Sequence, residues 1–246
     1  MIINNKKYQV VIIDNPIENL DDKKCADIFG KLLKMKHTGY KVTYGDNVLP
    51  MDKSDFFSTH ILLCEVDNNN YTPIIAYKST SYDKCLFYKM EFPALTLMKE
   101  DGTPNCVNRI NTILHSATSP SEVSFDSSWA QNLEYRYSDD QSLKIMLREI
   151  TMMFAVKHHE YFKIPHMISC GVVKVKTDQF FYKIGLKELC SEAHFIQKSI
   201  NNQEVVIFYN DSFSELALEM AKKYNTLWDD KLLILPKNPA ALKIAS

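Results

Sequence analysis

The sequence predicts a mixed α/β fold, and three patterns along its 246 residues support that class. Short β-branched or alternating runs predict strands, and two of them are separated by a turn of asparagines. A long stretch with apolar residues three or four positions apart predicts an amphipathic helix. Strands and helices alternate along the chain, as in α/β proteins. The length fits one sizeable domain, which we expect over residues 1–235, with a loosely ordered tail over 236–246.

The first elements are a strand and a helix. The run 7–13 is rich in Val and Ile and ends at the turn cluster Asp14-Asn15-Pro16, so a strand is predicted there. From about Asp21 to His37, apolar residues recur at helical spacing between lysines. The pattern predicts an amphipathic helix that ends where Thr38-Gly39 interrupts it.

The next region predicts a β-hairpin and then becomes ambiguous. The segments 58–67 and 71–80 are apolar runs separated by Asp67-Asn68-Asn69-Asn70, which predicts two strands and a tight turn. Residues 84–118 combine an aromatic run, a Lys-Glu-Asp-Gly turn and an apolar-periodic piece. We expect one short helix among them.

The clearest pattern lies between residues 121 and 173. Residues 121–126 alternate polar and apolar side chains as a half-buried strand does, and 166–173 is the apolar run of a fully buried strand. Between them, Ser138-Asp139-Asp140-Gln141 has the pattern of a capping box. A long helix is predicted from there, and Pro165 ends it by about residue 163.

The last part predicts smaller elements. Thr177 is expected to cap a helix over 178–184, with Gly185 in the left-handed position that ends it. Strands near 193–199 and 204–209 flank a turn at Asn201-Asn202. A capping box at Ser212-Phe-Ser-Glu215 predicts a final helix.

Composition limits the function classes. Nearly half of the residues are hydrophobic and about a quarter charged, the formal net charge is -1 and the pI is about 6.7. These values predict a packed globule and exclude the broad basic footprint of a nucleic-acid-binding or peripheral membrane protein. The apolar run near the N-terminus is too short for a signal peptide, and no segment approaches 18 apolar residues. We therefore expect a cytoplasmic protein without a membrane span.

Two motifs invite a metal or redox reading and do not support it. The six cysteines have no CxxC spacing, so we expect reduced and mostly buried thiols, with packing the expected role of Cys170. His158-His159-Glu160 lies on the predicted long helix, where adjacent side chains point about 100° apart, whereas zinc proteases place two histidines four residues apart. No metal site is predicted.

The order of elements and one local string resemble the GNAT acyltransferase fold. The string is Phe180-Phe181-Tyr182-Lys183-Ile184-Gly185-Leu186, which looks like the ending that many GNAT proteins carry before their final hairpin. The resemblance implies a central mixed sheet with helices on both faces and a splay between two central parallel strands, here 121–126 and 166–173. The pantetheine arm of an acyl donor lies in such a splay.

The front half resembles the acyl-homoserine-lactone synthases and the long-chain N-acyl amino acid synthases. This likeness covers about residues 20–210 as a pattern, and it departs from those families where Pro50 replaces an acid and Phe125 replaces an arginine. It implies a set of substrate-binding residues: Phe29, Asp52, Asp55, Lys78, Ser124 and Phe125. Asp52 and Asp55 bind a substrate ammonium or decorate a turn, and Lys78 pairs with a substrate carboxylate or is an exposed strand lysine.

The resemblance also implies catalytic residues and a donor. Glu122 is the leading base or amine-orienting residue, against the alternative of a solvated carboxylate on a strand. Tyr182 is the candidate acid that protonates the leaving thiolate, against the alternative of a core aromatic residue. The donor is acyl-CoA or acyl-phosphopantetheine on an acyl carrier protein, used as a cosubstrate, and no permanently bound cofactor is expected.

The donor turn departs from the usual acetyl-CoA pattern. The stretch Arg136-Tyr-Ser-Asp-Asp-Gln141 has no glycine, and Asp139 and Asp140 would repel a phosphate, so a conventional pyrophosphate clamp is not expected. Two functions follow. The first is an N-acyltransferase that moves an acyl group from a thioester to a small-molecule amine such as an amino acid. The second is an inactive GNAT-like protein that binds another macromolecule.

Overall fold

The computed structural model describes residues 1–3 and 6–237, and these residues form ten strands of one sheet. The strands are β1 (Ile2–Ile3), β2 (Lys6–Asp14), β3 (Thr59–Asp67), β4 (Asn70–Ser81), β5 (Val123–Gln131), β6 (His166–Val172), β7 (Lys187–Glu188), β8 (His194–Gln197), β9 (Gln203–Asn210) and β10 (Leu232–Ile234).

The α-helices of the described residues differ widely in length. They are α1 (Lys23–Tyr44), α2 (Tyr82–Phe87), α3 (Pro93–Glu100), α4 (Pro104–Ser116), α5 (Leu133–Arg136), α6 (Gln141–Phe162), α7 (Thr177–Ile184), α8 (Glu215–Lys223) and α9 (Asn225–Asp229). The two longest, α1 and α6, precede the hairpin β3–β4 and the strand β6.

The sheet is mixed, with strand order β1-β2-β3-β4-β5-β6-β9-β7; β10 also pairs with β2, and β8 with β9. Neighbours are antiparallel except for β5–β6 and β10–β2, which are parallel. The parallel pair at the centre is possible because α6 crosses over the sheet between β5 and β6. This mixed α/β fold with a central parallel pair confirms the predicted class.

Both faces of the sheet are buried under helices. On one face, Cys25, Ile28 and Leu32 of α1 pack against alternate residues of the first strands, such as Val11 and Leu62. On the other face, α6 packs in a larger cluster that contains the intervening residues of the same strands, Val10 and Ile12 of β2 and Ile61 and Leu63 of β3. Adjacent residues of one strand therefore enter different cores, which explains the continuous apolar runs in the sequence.

The predicted end of the first helix is wrong. Instead of ending at Thr38-Gly39, α1 continues to Tyr44 and ends where Gly45 adopts a φ of 106°. A glycine inside a helix costs about 1 kcal/mol, but the last turns of α1 lie over β4 and β5 and are stabilised by packing there. A Cβ at Gly39 would lie 3.9 Å from the carbonyl oxygen of Gln131.

Three helices occupy the region in which one was expected. Residues 84–118 contain most of α2 and all of α3 and α4. Pro93 and Pro104 begin α3 and α4 at their first turns, and these two helix starts were missed. Proline is tolerated there because the first N–H groups of a helix have no intrahelical partner.

The helix starts were predicted to within a few residues, with the wrong capping residue. Asp140, not Ser138, caps α6 by accepting a hydrogen bond from the N–H of Leu143 at 3.0 Å, and Ser214, not Ser212, caps α8. Thr177 begins α7 and does not cap it. The turns were predicted correctly: both asparagine pairs, 68–69 and 201–202, adopt positive φ, and so does Gly185.

The prediction of reduced cysteines is wrong for one pair. Cys106 of α4 is bonded to Cys190 in the loop between β7 and β8. The remaining four are free; three of them are buried and Cys170 is partly buried. The pairing was not readable from spacing because the two cysteines lie 84 residues apart.

Two predictions, on membrane spans and on the C-terminal tail, can be compared with only part of the chain. Within residues 1–3 and 6–237, no helix has the length and apolarity needed to cross a bilayer. Of the predicted tail, Pro236 and Lys237 are described and residues 238–246 lie outside the described range. The division into one domain and a tail stays a prediction.

Candidate functional site

The two central parallel strands separate halfway along their length. Val123–Asp126 of β5 pairs with His166–Ser169 of β6, and the pairing stops there. Beyond it, β5 continues to Gln131 against β4, and β6 continues to Val172 against β9. Within the described chain, the facing edges of these two segments have no strand between them. This confirms the predicted splay.

A bulge in β5 begins just past the point of separation. The register with β4 shifts between Ala76 and Lys78, so that Ser128 and Trp129 both stand opposite Tyr77, and Ser128 adopts a φ of 56°. The ring of Trp129 stacks on that of Tyr77, with centroids 4.2 Å apart and planes 7° from parallel. The bulge thus holds a large aromatic side chain at the splay.

Two cavities meet at Trp129. Their volumes are about 540 and about 500 Å³, and four residues line both of them: Tyr40, Tyr44, Trp129 and Thr177. We name the first the cationic cleft and the second the apolar pocket, after the side chains described next. Because the cavities share these walls, a ligand lying in the splay can reach both.

The cationic cleft is lined by four basic side chains, from Arg136, Arg148, Lys176 and Lys183, and none of its lining residues is acidic. Among the described residues, none of the four pairs with a carboxylate. Arg136 donates a hydrogen bond to Oγ1 of Thr43 at 2.9 Å. Uncompensated charges of one sign in a cleft create a positive potential that attracts anions.

The apolar pocket lies on the other side of Trp129. Its walls are mostly apolar, and they come from the loop before β3, from α3, and from β5, β6 and the segment after β8. The apolar members are Leu49, Pro50, Met51, Phe57, Met90, Pro93, Leu97, Phe125, Val172 and Ile200. Its charged members are Asp52, Lys53, Glu91 and Glu100. Cys170 also lines it, and burial raises the pKa of this thiol to about 12.

A buried ionic cluster lies behind the apolar pocket. Asp55 is fully buried; it pairs with Lys36, accepts from Lys78 at 3.4 Å, and accepts from the N–H of Asp52 at 2.9 Å. Burial alone would raise the pKa of the Asp55 carboxyl, but the ammonium groups of Lys78 and Lys36 outweigh it and hold that pKa well below its usual range. The Asp55 carboxyl is therefore ionised at neutral pH, whereas burial lowers the pKa of its partner Lys36.

Lys78 was expected on an exposed strand surface or facing a substrate carboxylate, and the first alternative is wrong. Its side chain is 3% exposed. Its ammonium donates to Oγ of Ser54 at 2.6 Å, to Asp52 at 3.2 Å and to Asp55 at 3.4 Å. A lysine has three N–H donors, so this one is saturated by the protein itself.

The two predicted aspartates therefore differ in position. Asp52 lines the mouth of the apolar pocket, whereas Asp55 lies behind it in the buried cluster. Phe29 is buried in the smaller core, with its ring edge-on to those of Phe56 and His60, and it lines neither cavity. Both aspartates belong to a turn, as one of the two alternatives expected, and together they form a capping box around its 3₁₀ helix.

Glu122 lies apart from both cavities. It belongs to a 3₁₀ turn before β5 instead of to the strand, and its carboxylate accepts from the N–H groups of Thr118 at 2.9 Å and Ser119 at 3.3 Å. It lines a separate surface pocket near His159 and Asp211. The strand assignment of Glu122 is wrong, because Pro120 begins a 3₁₀ turn there. Its predicted catalytic role stays a prediction.

Ser124 and Phe125 follow on β5 and face opposite sides. Phe125 lines the apolar pocket, whereas Ser124 is buried and donates to Asp126 at 2.9 Å. Asp126 was not singled out from the sequence. It accepts from Ser79 at 2.7 Å and lies 3.0 Å from Nε2 of His159, so one histidine of the α6 motif serves a buried polar cluster.

Tyr182 lines neither cavity. Its side chain is exposed, and its hydroxyl donates to Glu188 at 2.6 Å; this hydrogen bond, more than burial, raises the pKa of Tyr182 to about 12. Its neighbours Phe180 and Phe181 turn inward and contact Trp129 instead. The acid role of Tyr182 stays a prediction that its position does not favour.

The sequence missed the basic residues of the cleft. Arg136 was noted only as part of a turn with two acids, but Asp139 and Asp140 do not line the cleft. The other three cations lie on α6, on α7 and just before α7, and their convergence depends on how those helices pack. Among the described residues, no group of three or more His, Cys, Asp or Glu side chains could hold a metal ion.

Comparisons with known proteins give a fold and no closer relative. No family model matches the sequence, and no curated protein matches it. Among solved structures, it resembles BjaI, a CoA-dependent acyl-homoserine lactone synthase solved with SAM and isopentyl-CoA, with a TM-score of 0.55 and 10% identity over 97% of this chain and 99% of that one.

A second solved structure, the CoA-dependent acyl-homoserine lactone synthase MesI, matches with a TM-score of 0.54 and 8% identity over 89% of this chain and 95% of that one. The chain thus has a GNAT-like fold, over nearly the full length of these synthases. At such identities the likeness extends to the fold alone.

Proposed function

We propose that this GNAT-like chain is an N-acyltransferase that moves an acyl group from a thioester donor to a small-molecule amine. The observation that carries the proposal is the open splay between β5 and β6, with cavities of opposite character at its two ends. A thioester donor has matching ends, since one end bears phosphate and the other the acyl chain. A GNAT-like binding protein without a donor would not need these cavities.

In this proposal the donor crosses the splay at Trp129. Its phosphate-bearing end lies in the cationic cleft, the pantetheine arm runs along β5, and the acyl group enters the apolar pocket. Beyond Asp126, β5 still pairs with β4 on one edge but has no partner from β6 on the other, so an N–H group on that second edge can polarise the thioester carbonyl. The amine nitrogen then bonds to the acyl carbon, the C–S bond breaks, nitrogen loses a proton and the thiolate gains one.

Coenzyme A is the donor that the charge of the cleft favours. Four unpaired cations suit a diphosphate and a ribose phosphate better than the single phosphodiester of a carrier-bound pantetheine. BjaI and MesI are both described as CoA-dependent. The acidic turn at Asp139-Asp140 does not argue against this, because those side chains lie outside the cleft.

Tyr40 is the hydroxyl that we propose for protonating the leaving thiolate. It lines both cavities, next to Trp129. Burial raises the pKa of Tyr40 well above the usual range, so the hydroxyl is protonated but weakly acidic, and its proton moves only as the C–S bond breaks. Replacing Tyr40 with Phe should lower kcat at least tenfold, because it removes the acid but keeps the ring. The matched Tyr182→Phe variant should retain kcat, and the reverse result would contradict this assignment.

The cytoplasmic location expected from the sequence depends on the state of one cysteine pair. The Cys106–Cys190 bond argues against that location, because the cytosol keeps most thiols reduced. Mass spectrometry of the protein alkylated during cell lysis would determine the state of this pair.

The donor proposal is tested by binding. Octanoyl-CoA and octanoyl-carrier protein are titrated separately into the protein by calorimetry, and we expect measurable binding of the CoA thioester. In Arg148→Gln and Lys183→Gln the CoA affinity should fall by roughly threefold to tenfold each, as expected for partly exposed charge pairs, and the loss should shrink at high salt. Lys222→Gln, an exposed cation of α8 outside the cleft, is the matched control.

The outcomes separate the hypotheses. Binding of the carrier-linked donor alone would replace coenzyme A with a carrier protein. If neither donor binds and no acyl group is transferred or retained, the acyltransferase proposal fails and the GNAT-like binding protein replaces it.

A further inference from the structure

A helical hairpin forms one side of the apolar pocket. It consists of α3, the turn after it and α4, and we name residues 93–116 the lid. The two helices pack closely on each other, and no other helix or strand of the described chain approaches their backbone as extensively. Pro93, Thr96 and Leu97 of α3 line the pocket. A unit with few outside contacts is among the parts of a fold that open at the lowest free energy, so its attachment decides the shape of this side of the pocket.

Another part of the pocket wall comes from residues 189–200, between β7 and β9, which we name the wall segment. Gln197, Ser199 and Ile200 belong to the pocket lining. The strand β8 lies inside this segment and pairs with β9 along its length, so the wall segment is fixed to the sheet. The lid consists of helices and has no place in the sheet. The width of the pocket between them therefore depends on what connects the lid to the wall segment.

A covalent bond connects the lid to the wall segment. Cys106, in the first turn of α4, is joined by a disulfide to Cys190, near the start of the wall segment. The two cysteines are separated by 84 residues of chain. A cross-link that closes such a long loop removes many open arrangements of the chain. It therefore restricts the lid more than a link between near neighbours in the sequence would.

The side-chain contacts that support this bond are exposed. The side-chain amide of Asn105 donates to Oγ of Ser191 at 3.3 Å. The backbone N–H of Lys198 donates to Asp101 at 3.0 Å, and the Lys198 ammonium lies 3.1 Å from that carboxylate. The Lys198 side chain is 72% exposed, so water and salt screen the ion pair. These contacts hold the lid only weakly when the disulfide is open.

We propose that the Cys106–Cys190 disulfide is a redox-sensitive latch that holds the lid against the wall segment and thereby sets the acyl affinity of the apolar pocket. When the bond is closed, the pocket wall is preformed. When it is open, an acyl chain must order the lid as it binds, which costs affinity. The cationic cleft takes no lining residue from the lid or the wall segment, so the donor's phosphates should not sense the latch. The effect on acyl binding rests on the proposed function, whereas the effect on access to the pocket does not.

The latch opens by thiol–disulfide exchange with a dithiol. A thiolate of the dithiol attacks the sulfur of Cys190, which is partly buried, whereas Cys106 is fully buried. A mixed disulfide forms with Cys190, and the Cys106 sulfur leaves as a thiolate and takes up a proton. The second thiol of the dithiol then displaces Cys190. Two electrons and two protons pass to the protein, the dithiol becomes a disulfide, and exchange with another disulfide closes the latch again.

Cys170 reports on access to the pocket without a donor or turnover, because it lines the apolar pocket. Its rate of labelling by iodoacetamide at pH 8 is measured by peptide mass spectrometry in the disulfide form and after reduction with a phosphine that is then removed. We expect reduction to speed the labelling of Cys170 at least about threefold, because the lid then opens more often. The double variant Cys106→Ser/Cys190→Ser should react at the rate of the reduced protein with or without phosphine. Equal rates in the two redox states would overturn the inference.

Cys64 is the control for a general loosening of the fold. It is buried in the smaller core with residues of α1 and lines neither cavity. Its labelling should stay slow in both redox states. If reduction speeds Cys64 and Cys170 equally, the bond stabilises the whole protein and not the pocket, and the latch is refuted.

Calorimetry connects the latch to the donor site. Octanoyl-CoA and coenzyme A without an acyl group are titrated into both redox forms. On reduction the affinity for octanoyl-CoA should fall roughly threefold to tenfold and that for coenzyme A should stay the same, because only the acyl chain enters the pocket. If neither binds but Cys170 still responds to reduction, the latch stands and the acyltransferase function fails. If octanoyl-CoA binds equally tightly in both states, the donor proposal stands and the latch inference fails.

Discussion

Replacing Asp55 with Asn should destabilise the protein strongly, because it removes the counter-charge of two buried ammonium groups. Asp55 is fully buried, and the Lys36 and Lys78 side chains that it pairs with are 1% and 3% exposed. After the change, Lys78 keeps Asp52 at 3.2 Å and Ser54 at 2.6 Å. Lys36 loses its only ion pair among the described residues.

The magnitude follows from that asymmetry. Removing one partner of a buried ion pair costs about 3–5 kcal/mol, whereas Lys78 should contribute little because its other partners remain. With a urea dependence of about 3 kcal/mol per M, the expected loss moves the unfolding midpoint by roughly 1–2 M. The assay is equilibrium urea unfolding followed by circular dichroism at pH 7.

Two further variants check the reasoning. Asp27→Asn removes a carboxylate from the exposed Lys31 pair on α1, and it should cost less than about 1 kcal/mol. The double variant Lys36→Met/Asp55→Asn should be more stable than Asp55→Asn alone, because no uncompensated Lys36 charge remains. A loss below about 1 kcal/mol for Asp55→Asn would refute the claim that this cluster is buried and ionised.

Three other predictions concern pH, packing and access. Burial lowers the pKa of His60 to about 4 and the pKa of His158 to about 3, whereas histidines of the unfolded chain have a pKa of about 6.5. Protonation therefore favours the unfolded chain: the folded state keeps its full stability above pH 6.5 and loses it as the pH falls toward 4. The unfolding free energy should drop by up to about 1.4 kcal/mol per pH unit for each histidine, and His158→Leu should reduce that slope in urea titrations. Gly171→Ala should lower the unfolding free energy by about 1–3 kcal/mol, because its Cβ would lie 2.6 Å from the backbone nitrogen of Asp178 in α7. Gly30→Ala should stabilise the protein, because the space around its Cβ is open. Equal urea midpoints of the two variants would contradict this packing. Cys170 should react slowly with iodoacetamide at pH 8, and octanoyl-CoA should slow it further if the acyl chain enters the apolar pocket, as peptide mass spectrometry would detect.

Local patterns were enough for most of the elements. Periodicity and turn chemistry over short stretches of the chain were enough to predict the hairpin β3–β4 and the long helix α6. They also predicted the turns with positive φ at Asn68-Asn69 and Asn201-Asn202. The parallel pair β5–β6 also follows, because a helix between two buried strands favours a crossover. These features depend on neighbours in the chain, which a sequence displays directly.

The candidate site was only partly predictable. Asp52 and Phe125, chosen by resemblance, line the apolar pocket, whereas Glu122 and Tyr182, chosen from the same resemblance, lie outside both cavities, and the roles of all four stay predictions. A motif fixes the position of a residue along the chain and not the direction of its side chain. The strand was predicted from residue 121, but β5 begins at Val123 because Pro120 starts a 3₁₀ turn, and this shift of two residues turns Glu122 from a strand residue into a capping one.

By itself the sequence determined the α/β class, the order of the elements outside residues 84–118 and the splay that the resemblance implied. Only the tertiary structure decided which charged side chains line the site and which are paired within the protein. It buried Lys78 among the protein's own acceptors, joined Cys106 to Cys190 and brought four distant cations into one cleft. The physical reason is that ionic partners and disulfides are set by distances between segments far apart in the chain. Local periodicity carries no information about such distances.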